Sequence, residues 1–189
     1  MDKTMLNNII DHARNRDYMS GVEREKTRIK STGEVFTPTK LVQEMLNQLP
    51  LELFTNPKKT FLDPTCGDGQ FLSEILIKKM ENGIDYETAL STIYGVDLMF
   101  DNCIETIKRL YMVNDDDIII YKKSGNKDFG IMELSRSHRS KKGLIAMFKL
   151  KSNTTKFINI VCADGLEYDY SFSTPQKEDN YFSSLFTYK

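Results

Sequence analysis

Thr60-Phe61-Leu62-Asp63-Pro64-Thr65-Cys66-Gly67-Asp68-Gly69-Gln70-Phe71-Leu72 decides the fold. Thr60-Phe61-Leu62 reads as a short buried strand ending in Asp63-Pro64. Thr65 to Gly69 is a tight loop whose glycines permit close backbone approach. A helix then begins, with Phe71, Leu72, Ile75, Leu76 and Met80 facing inward and Asn82-Gly83 as its stop. Strand, glycine loop and helix together form the opening unit of an α/β sheet.

The same alternation continues downstream. Residues 85–92 add one short helical turn, and Ile93-Tyr94-Gly95-Val96 is a second strand ending in Asp97. Ile104, Ile107, Leu110 and Tyr111 mark the next helix, and Ile118-Ile119-Ile120-Tyr121 a third strand. Phe157 to Cys162 is a fourth, ending in Ala163-Asp164-Gly165. Upstream, Thr37 reads as an N-cap with Pro38 at the first helical position. Leu41, Val42, Met45, Leu46 and Leu49 then form one apolar stripe, which Pro50 stops. The expected fold is α/β with a largely parallel sheet. Right-handed crossovers would gather the carboxyl ends of the strands along one rim.

Three of those strand ends are acidic: Asp63, Asp97 and Asp164. A dinucleotide loop of the G-x-G-x-x-G kind cradles a pyrophosphate, whereas Asp63 and Asp68 here would repel one. The rim suits a ligand with a cationic end and no phosphate. S-adenosylmethionine offers an ammonium, a sulfonium, two ribose hydroxyls and an adenine amino group, each suited to an acid or a backbone carbonyl. Any one of these aspartates alone would read as a helix cap. Three strand ends beside a glycine loop argue for a site.

Composition narrows the alternatives. Among 189 residues, 40% are hydrophobic and 28% charged, which is enough to build a core. No run approaches ~18 consecutive apolar residues, and the first residues are too polar for a signal peptide. The three cysteines are widely spaced, so a disulfide framework and a zinc site are both disfavoured. The expected compartment is a reducing cytoplasm, and no metal is expected. His12 and His138 are the only histidines and lie far from the rim in sequence, which argues against Ser-His-Asp or Cys-His catalysis.

The net charge of -1 hides a strong asymmetry. Residues 31–121 carry seven Lys/Arg against fifteen Asp/Glu, whereas residues 122–156 carry ten against two. That basic block includes Lys122, Lys123, Arg136, Arg139, Lys141 and Lys142. It reads either as a solvated surface loop or as a phosphate-backbone contact that carries no sequence information. The organisation expected is a polar helical arm over 1–30, a domain over 31–165 interrupted by a mobile basic insertion at 122–156, and a polar tail over 166–189.

Gly33-Glu34-Val35-Phe36-Thr37-Pro38, Asp63 to Leu72, Gly95-Val96-Asp97-Leu98 and Cys162-Ala163-Asp164-Gly165 resemble, in order, motifs of the amino DNA methyltransferases. The likeness is to the adenine-N6 type in which an F-T-P segment precedes the glycine loop. It covers roughly residues 31–121 and 157–165. The resemblance implies a Rossmann-like class I methyltransferase fold binding S-adenosylmethionine, with DNA as partner. Under it, Phe36, Thr37 and Pro38 close over the methionine end, and Asp63, Pro64, Cys66, Gly67, Asp68, Gly69 and Phe71 build the loop around the ammonium. Asp97 accepts the ribose hydroxyls, Leu98 packs on the adenine, and Ala163, Asp164 and Gly165 meet its amino group. Cys66 is a loop residue there, not a nucleophile. A restriction–modification or phage-defence setting rests on the resemblance alone.

The pattern breaks after the fourth strand. The family's [Asn/Asp/Ser]-Pro-Pro-aromatic segment accepts the amino hydrogens of a flipped base and stacks on it, and this chain contains no such tetrapeptide. Ser173, Thr174 and Pro175 are the nearest substitute, with one acceptor and one proline. Residues 166–189 supply at most one more strand. The expected sheet is therefore incomplete, with Phe157 to Cys162 as an apolar edge to be covered by the tail, a second copy or another chain. Three readings follow: a DNA methyltransferase, a non-catalytic chain that binds cofactor or nucleic acid and completes a partner, and a methyltransferase acting on RNA or protein.

Overall fold

The computed structural model describes residues 3–14, 37–124, 130–131 and 144–172. Helices α1 (Lys3–Arg14), α2 (Thr39–Asn47), α3 (Glu52–Thr55), α4 (Gln70–Glu81), α5 (Tyr86–Ser91) and α6 (Phe100–Tyr111) surround a sheet. Its strands are β1 (Phe61–Asp63), β2 (Ile93–Asp97), β3 (Ile118–Ser124), β4 (Gly130–Ile131), β5 (Leu144–Leu150) and β6 (Ile160–Cys162), in the order β1-β2-β6-β5-β3-β4.

The α/β reading holds, but the sheet is mixed rather than largely parallel. β1, β2 and β6 run parallel, with Asp63 opposite Gly95 and Asp97 opposite Cys162. The remaining pairings, β6–β5, β5–β3 and β3–β4, are antiparallel. The reason lies in the basic block. Leu144-Ile145-Ala146-Met147-Phe148-Lys149-Leu150 is a strand, not a loop, and pairs along its whole length with β3. Ala146, Met147 and Phe148 are buried on it.

This hairpin also overturns the expected open edge. The strand ending in Cys162 lies inside the sheet, between β2 and β5. Among the described residues, the strand beside the glycine loop, β1, pairs with β2 alone.

The two faces of the sheet differ. Ile93, Ile160, Cys162, Ile120 and Phe148 join the helices in the larger core, which includes Leu72, Leu76, Cys103, Ile104 and Ile107. On the opposite face Val96, Val161 and Met147 are covered by Tyr168 and Phe172. The stretch expected to be the start of a polar tail therefore folds back as an aromatic cover.

Residues 3–14, the described part of the polar arm expected over 1–30, form helix α1 and pack on the domain. Ile9 and Ala13 are buried in the larger core, and Arg14 forks onto Glu74 with bonds of 2.9 and 2.8 Å. Two further readings are corrected. Pro38, not Thr37, occupies the N-cap of α2. Of the apolar stripe on α2, only Val42 and Leu46 are buried, while Leu41 and Met45 are each 46% exposed. Among the described residues no helix is long and apolar enough to cross a membrane.

Candidate cofactor site at the strand ends

The loop after β1 is held from three sides. Its own backbone turns through Gly69 N–H to Cys66 O at 2.8 Å, and Cys66 N–H donates to Val96 O of β2 at 2.9 Å. Gly67 N–H donates to Asp97 Oδ2 at 2.9 Å, while Thr106 Oγ1 of α6 donates to Gly67 O at 2.9 Å. Gly69 adopts φ +80° at the mouth of α4, and a Cβ there would sit 2.9 Å from the Thr106 side chain. Left-handed backbone and a packed neighbour together demand glycine.

Asp97 is buried at the end of β2. Besides Gly67 it accepts Met99 N–H at 2.7 Å and Asn102 Nδ2 at 3.1 Å on Oδ1. This acid is a junction joining β2, the glycine loop and the start of α6. Asp68 points inward instead: it is 2% exposed and meets Arg109 Nη2, itself 3% exposed, at 2.5 Å. Arg109 also reaches Gln70 Oε1, and Gln70 Nε2 donates to Thr39 Oγ1 at 2.8 Å. Through this chain of contacts the segment bearing Thr37 and Pro38 is bound to the glycine loop.

Asp63 is part-buried and accepts Thr65 N–H at 3.1 Å. Burial raises its carboxyl pKa above the ordinary value, opposed only in part by that bond. Burial, with the Asp97 and Asp63 carboxylates nearby, pushes the Cys66 thiol well above its usual range. A buried thiol held protonated is a packing residue, not a nucleophile.

The third acid closes the group. Ala163 N–H donates to Asp97 O at 2.9 Å, setting the loop after β6 against β2. Asp164 folds an Asx turn through Leu166 N–H at 3.0 Å. A Cβ on Gly165 would lie 2.6 Å from Pro64 O, so this loop lies directly against the Asp63-Pro64 turn. Tyr170 Oη then donates to Gly165 O at 2.6 Å.

The structure thus brings together Thr37, Pro38, the loop from Asp63 to Gly69, Asp97, Leu98 and the loop from Ala163 to Gly165. Phe71 lies in the first turn of α4 and is part-buried. Phe36, Ser173, Thr174, Pro175, Arg136, Arg139, Lys141 and Lys142 lie outside the described residues. Lys122 and Lys123 are in β3, opposite Ala146 and Ile145 of β5.

Sequence reasoning missed Asn102, Thr106 and Arg109. They are spaced i, i+4, i+7 on the buried face of α6. Polar residues repeating on an otherwise apolar helical face were the available signal.

The donor set fits a cationic ligand. Asp63, Asp97 and Asp164 stand at neighbouring strand ends, and Arg109 is already paired with Asp68. Among the described residues no group of His, Cys, Asp and Glu is placed to hold a metal. A cavity of about 390 Å³ lies at the opposite end of the strands, lined by Tyr86, Ser91, Tyr111, Leu150, Lys156 and Asn159, so it is separate from this rim.

Comparison with known proteins agrees with the motifs. No curated protein and no solved structure matches the chain. The family model described as N-6 DNA Methylase matches residues 23–114, which contain the F-T-P segment, the glycine loop and Asp97. Residues 23–114, just under half of the chain, are thus similar to the N-6 DNA methylase family.

Proposed function

We propose that the chain is an S-adenosylmethionine-dependent DNA methyltransferase with a Rossmann-like cofactor domain, acting on the N6 amino group of adenine. The observation that carries this reading is the joining of the strand-end acids to the glycine loop, above all the bond from Gly67 N–H to Asp97. Bound S-adenosylmethionine supplies an electrophilic methyl group. The chain's own residues bind and orient.

Asp63 offers a carboxylate whose burial disfavours its charge, so an ammonium placed against it relieves that cost. Asp97, fixed by Gly67, Met99 and Asn102, accepts ribose hydroxyls. Leu98 provides an apolar surface for the adenine, and Asp164 accepts its amino group. Thr37 and Pro38, tied to the loop through Thr39 and Gln70, cover the methionine end with Phe36. Asp68 acts one step back: through Arg109 it holds the shape of the loop. Basic residues including Lys122, Lys123, Arg136, Arg139, Lys141 and Lys142 track the DNA backbone. Reversing the charge of Lys141 and Lys142 then lowers DNA affinity and flattens its salt dependence.

A second reading rests on the sequence alone. The chain has no Pro-Pro-aromatic segment, and Ser173, Thr174 and Pro175 supply one proline and no aromatic ring. A chain that binds cofactor and DNA but completes a partner's active centre meets both facts.

The deciding experiment is transfer of a labelled methyl group from S-adenosylmethionine to unmethylated DNA, with the nucleosides identified by mass spectrometry. N6-methyladenine establishes the enzyme. Cofactor binding by calorimetry on the same sample, with no methylated base, selects the partner-dependent reading. Absence of cofactor binding dismisses both.

A further inference from the structure

The loop after β6 is gripped by a tyrosine in a disfavoured backbone conformation. Tyr170 has φ +55° and Phe172 φ +43°, in the left-handed region that a bulky side chain rarely enters. Such a backbone persists where its surroundings over-determine it. Here Phe172 N–H donates to Tyr168 Oη at 2.9 Å. The rings of Tyr168, Tyr170 and Phe172 pack on one another with centroids 5.4 to 6.2 Å apart. Tyr170 is thereby turned back onto the loop, where its Oη donates to Gly165 O at 2.6 Å.

Gly165 O and Leu166 N–H belong to one peptide unit. That N–H donates to Asp164 Oδ1 at 3.0 Å, and among the described residues it is the only donor to the Asp164 carboxylate. The Asp164 main chain is held separately, its carbonyl accepting Glu167 N–H at 3.0 Å and Tyr168 N–H at 2.9 Å. The direction of the carboxylate therefore depends on the Gly165–Leu166 peptide. A peptide unit is planar and rigid, so a hydroxyl fixed on its oxygen fixes the direction of its N–H. The same hydrogen bond polarises the unit and strengthens that N–H as a donor. Burial, and after it the Asp164 charge, raise the pKa of the Tyr170 hydroxyl, which keeps it a donor. The hydroxyl also stands at the seam between the two loops of the rim. A Cβ built on Gly165 would lie 3.7 Å from Tyr170 Oη and 2.6 Å from Pro64 O.

We infer that Tyr170 is a positioning residue: through the Gly165–Leu166 peptide it orients the Asp164 carboxylate and so sets the choice between an amino group and a carbonyl on the ligand's ring. This rests on the proposed reading in which Asp164 accepts the adenine amino group. A carboxylate attracts an N–H and repels a carbonyl oxygen put in the same place, and the contrast is largest when the acceptor is held still.

Calorimetry on the full chain with S-adenosylhomocysteine and S-inosylhomocysteine tests this, because the two ligands differ at one ring position, an amino group against a carbonyl. Tyr170→Phe keeps the ring and removes the hydroxyl. The wild-type chain is expected to prefer the adenosyl ligand by roughly tenfold or more. Tyr170→Phe is expected to lower that preference by about fivefold or more. A hydroxyl that served stability alone would lower the Tm and leave the preference as it was. An unchanged preference in Tyr170→Phe therefore overturns the inference, whatever its Tm. An equal loss of both affinities also overturns it, and assigns the hydroxyl to the shape of the whole rim. So does equal affinity of the wild-type chain for the two ligands. Binding of neither ligand by the wild-type chain overturns the S-adenosylmethionine reading itself.

Discussion

Gly67 donates its backbone N–H to Asp97 Oδ2 at 2.9 Å, so the loop after the first strand and the acid ending the second are one hydrogen-bonded unit. Two more nitrogens, from Met99 and Asn102, meet the other oxygen of the same carboxylate. The residue assigned to the ribose is thus also the residue that shapes the glycine loop. Under the proposed function, binding and loop order are coupled through this one side chain.

Asp97→Asn tests the coupling. The amide keeps the shape but turns one acceptor into a donor facing N–H groups that remain buried. An unsatisfied buried group costs about 1–3 kcal/mol. The expected outcome is a fall of that size in unfolding free energy by urea titration, with at least a tenfold loss of S-adenosylmethionine affinity, or about 1.4 kcal/mol. An unchanged denaturation midpoint would show that the junction bears no load.

Asp68 and Arg109 give a second prediction. Both are buried and meet at 2.5 Å. Removing one partner strands the other charge and costs about 3–5 kcal/mol, whereas removing both is far milder. Arg109→Met is therefore expected to destabilise strongly, and adding Asp68→Asn to recover much of the loss. Urea titration of the single and double variants checks this. Additive losses would mean that the two side chains act independently.

What the sequence revealed here was local. The turn from Asp63 to Gly69, the α4 face of Leu72, Ile75, Leu76 and Met80, and the acids at the ends of β1, β2 and β6 all follow from residues adjacent in the chain. Pairing partners did not, because hydrogen bonds between strands are made across long sequence separations. Leu144–Leu150 carried a continuous apolar run from Leu144 to Phe148, but ten cations between residues 122 and 156 masked it as a charged loop. Once that run is a strand, Cys162 lies inside the sheet, and among the described residues β1 becomes the edge. Arg109 was invisible for a related reason: its partner Asp68 lies 41 residues away. The stripe on α2 had the spacing of a buried face, yet only Val42 and Leu46 meet the core.

The pH dependence of stability supplies a third prediction. Burial raises the folded-state pKa of Asp63 above its ordinary value of 3.8. Between that value and the raised one the folded protein binds more protons than the unfolded chain, so Asp63 makes stability fall as pH rises through the window. Above it the ionised acid burdens the ligand-free protein. Asp63→Asn is expected to raise the neutral-pH Tm, to remove its share of the slope, and to weaken cofactor binding. Thermal melts from pH 4 to 7 read the first two effects. Superimposable profiles for the two proteins would remove Asp63 from the buried set.

Gly69 and Gly83 separate backbone strain from crowding. Both have positive φ, +80° and +91°, but a Cβ at Gly69 meets Thr106 at 2.9 Å while one at Gly83 meets nothing within 4 Å. Left-handed backbone alone costs an alanine about 1–2 kcal/mol. Gly83→Ala is expected to cost that much and leave cofactor affinity unchanged. Gly69→Ala adds the clash with Thr106, whose hydroxyl holds Gly67 O, so it is expected to destabilise by roughly 1 kcal/mol more. It also moves the loop proposed to carry the cofactor, and under that reading affinity falls with stability. Urea titration and calorimetry on both variants decide it. Equal losses at the two glycines would mean that Thr106 yields freely and that the loop's shape does not depend on α6.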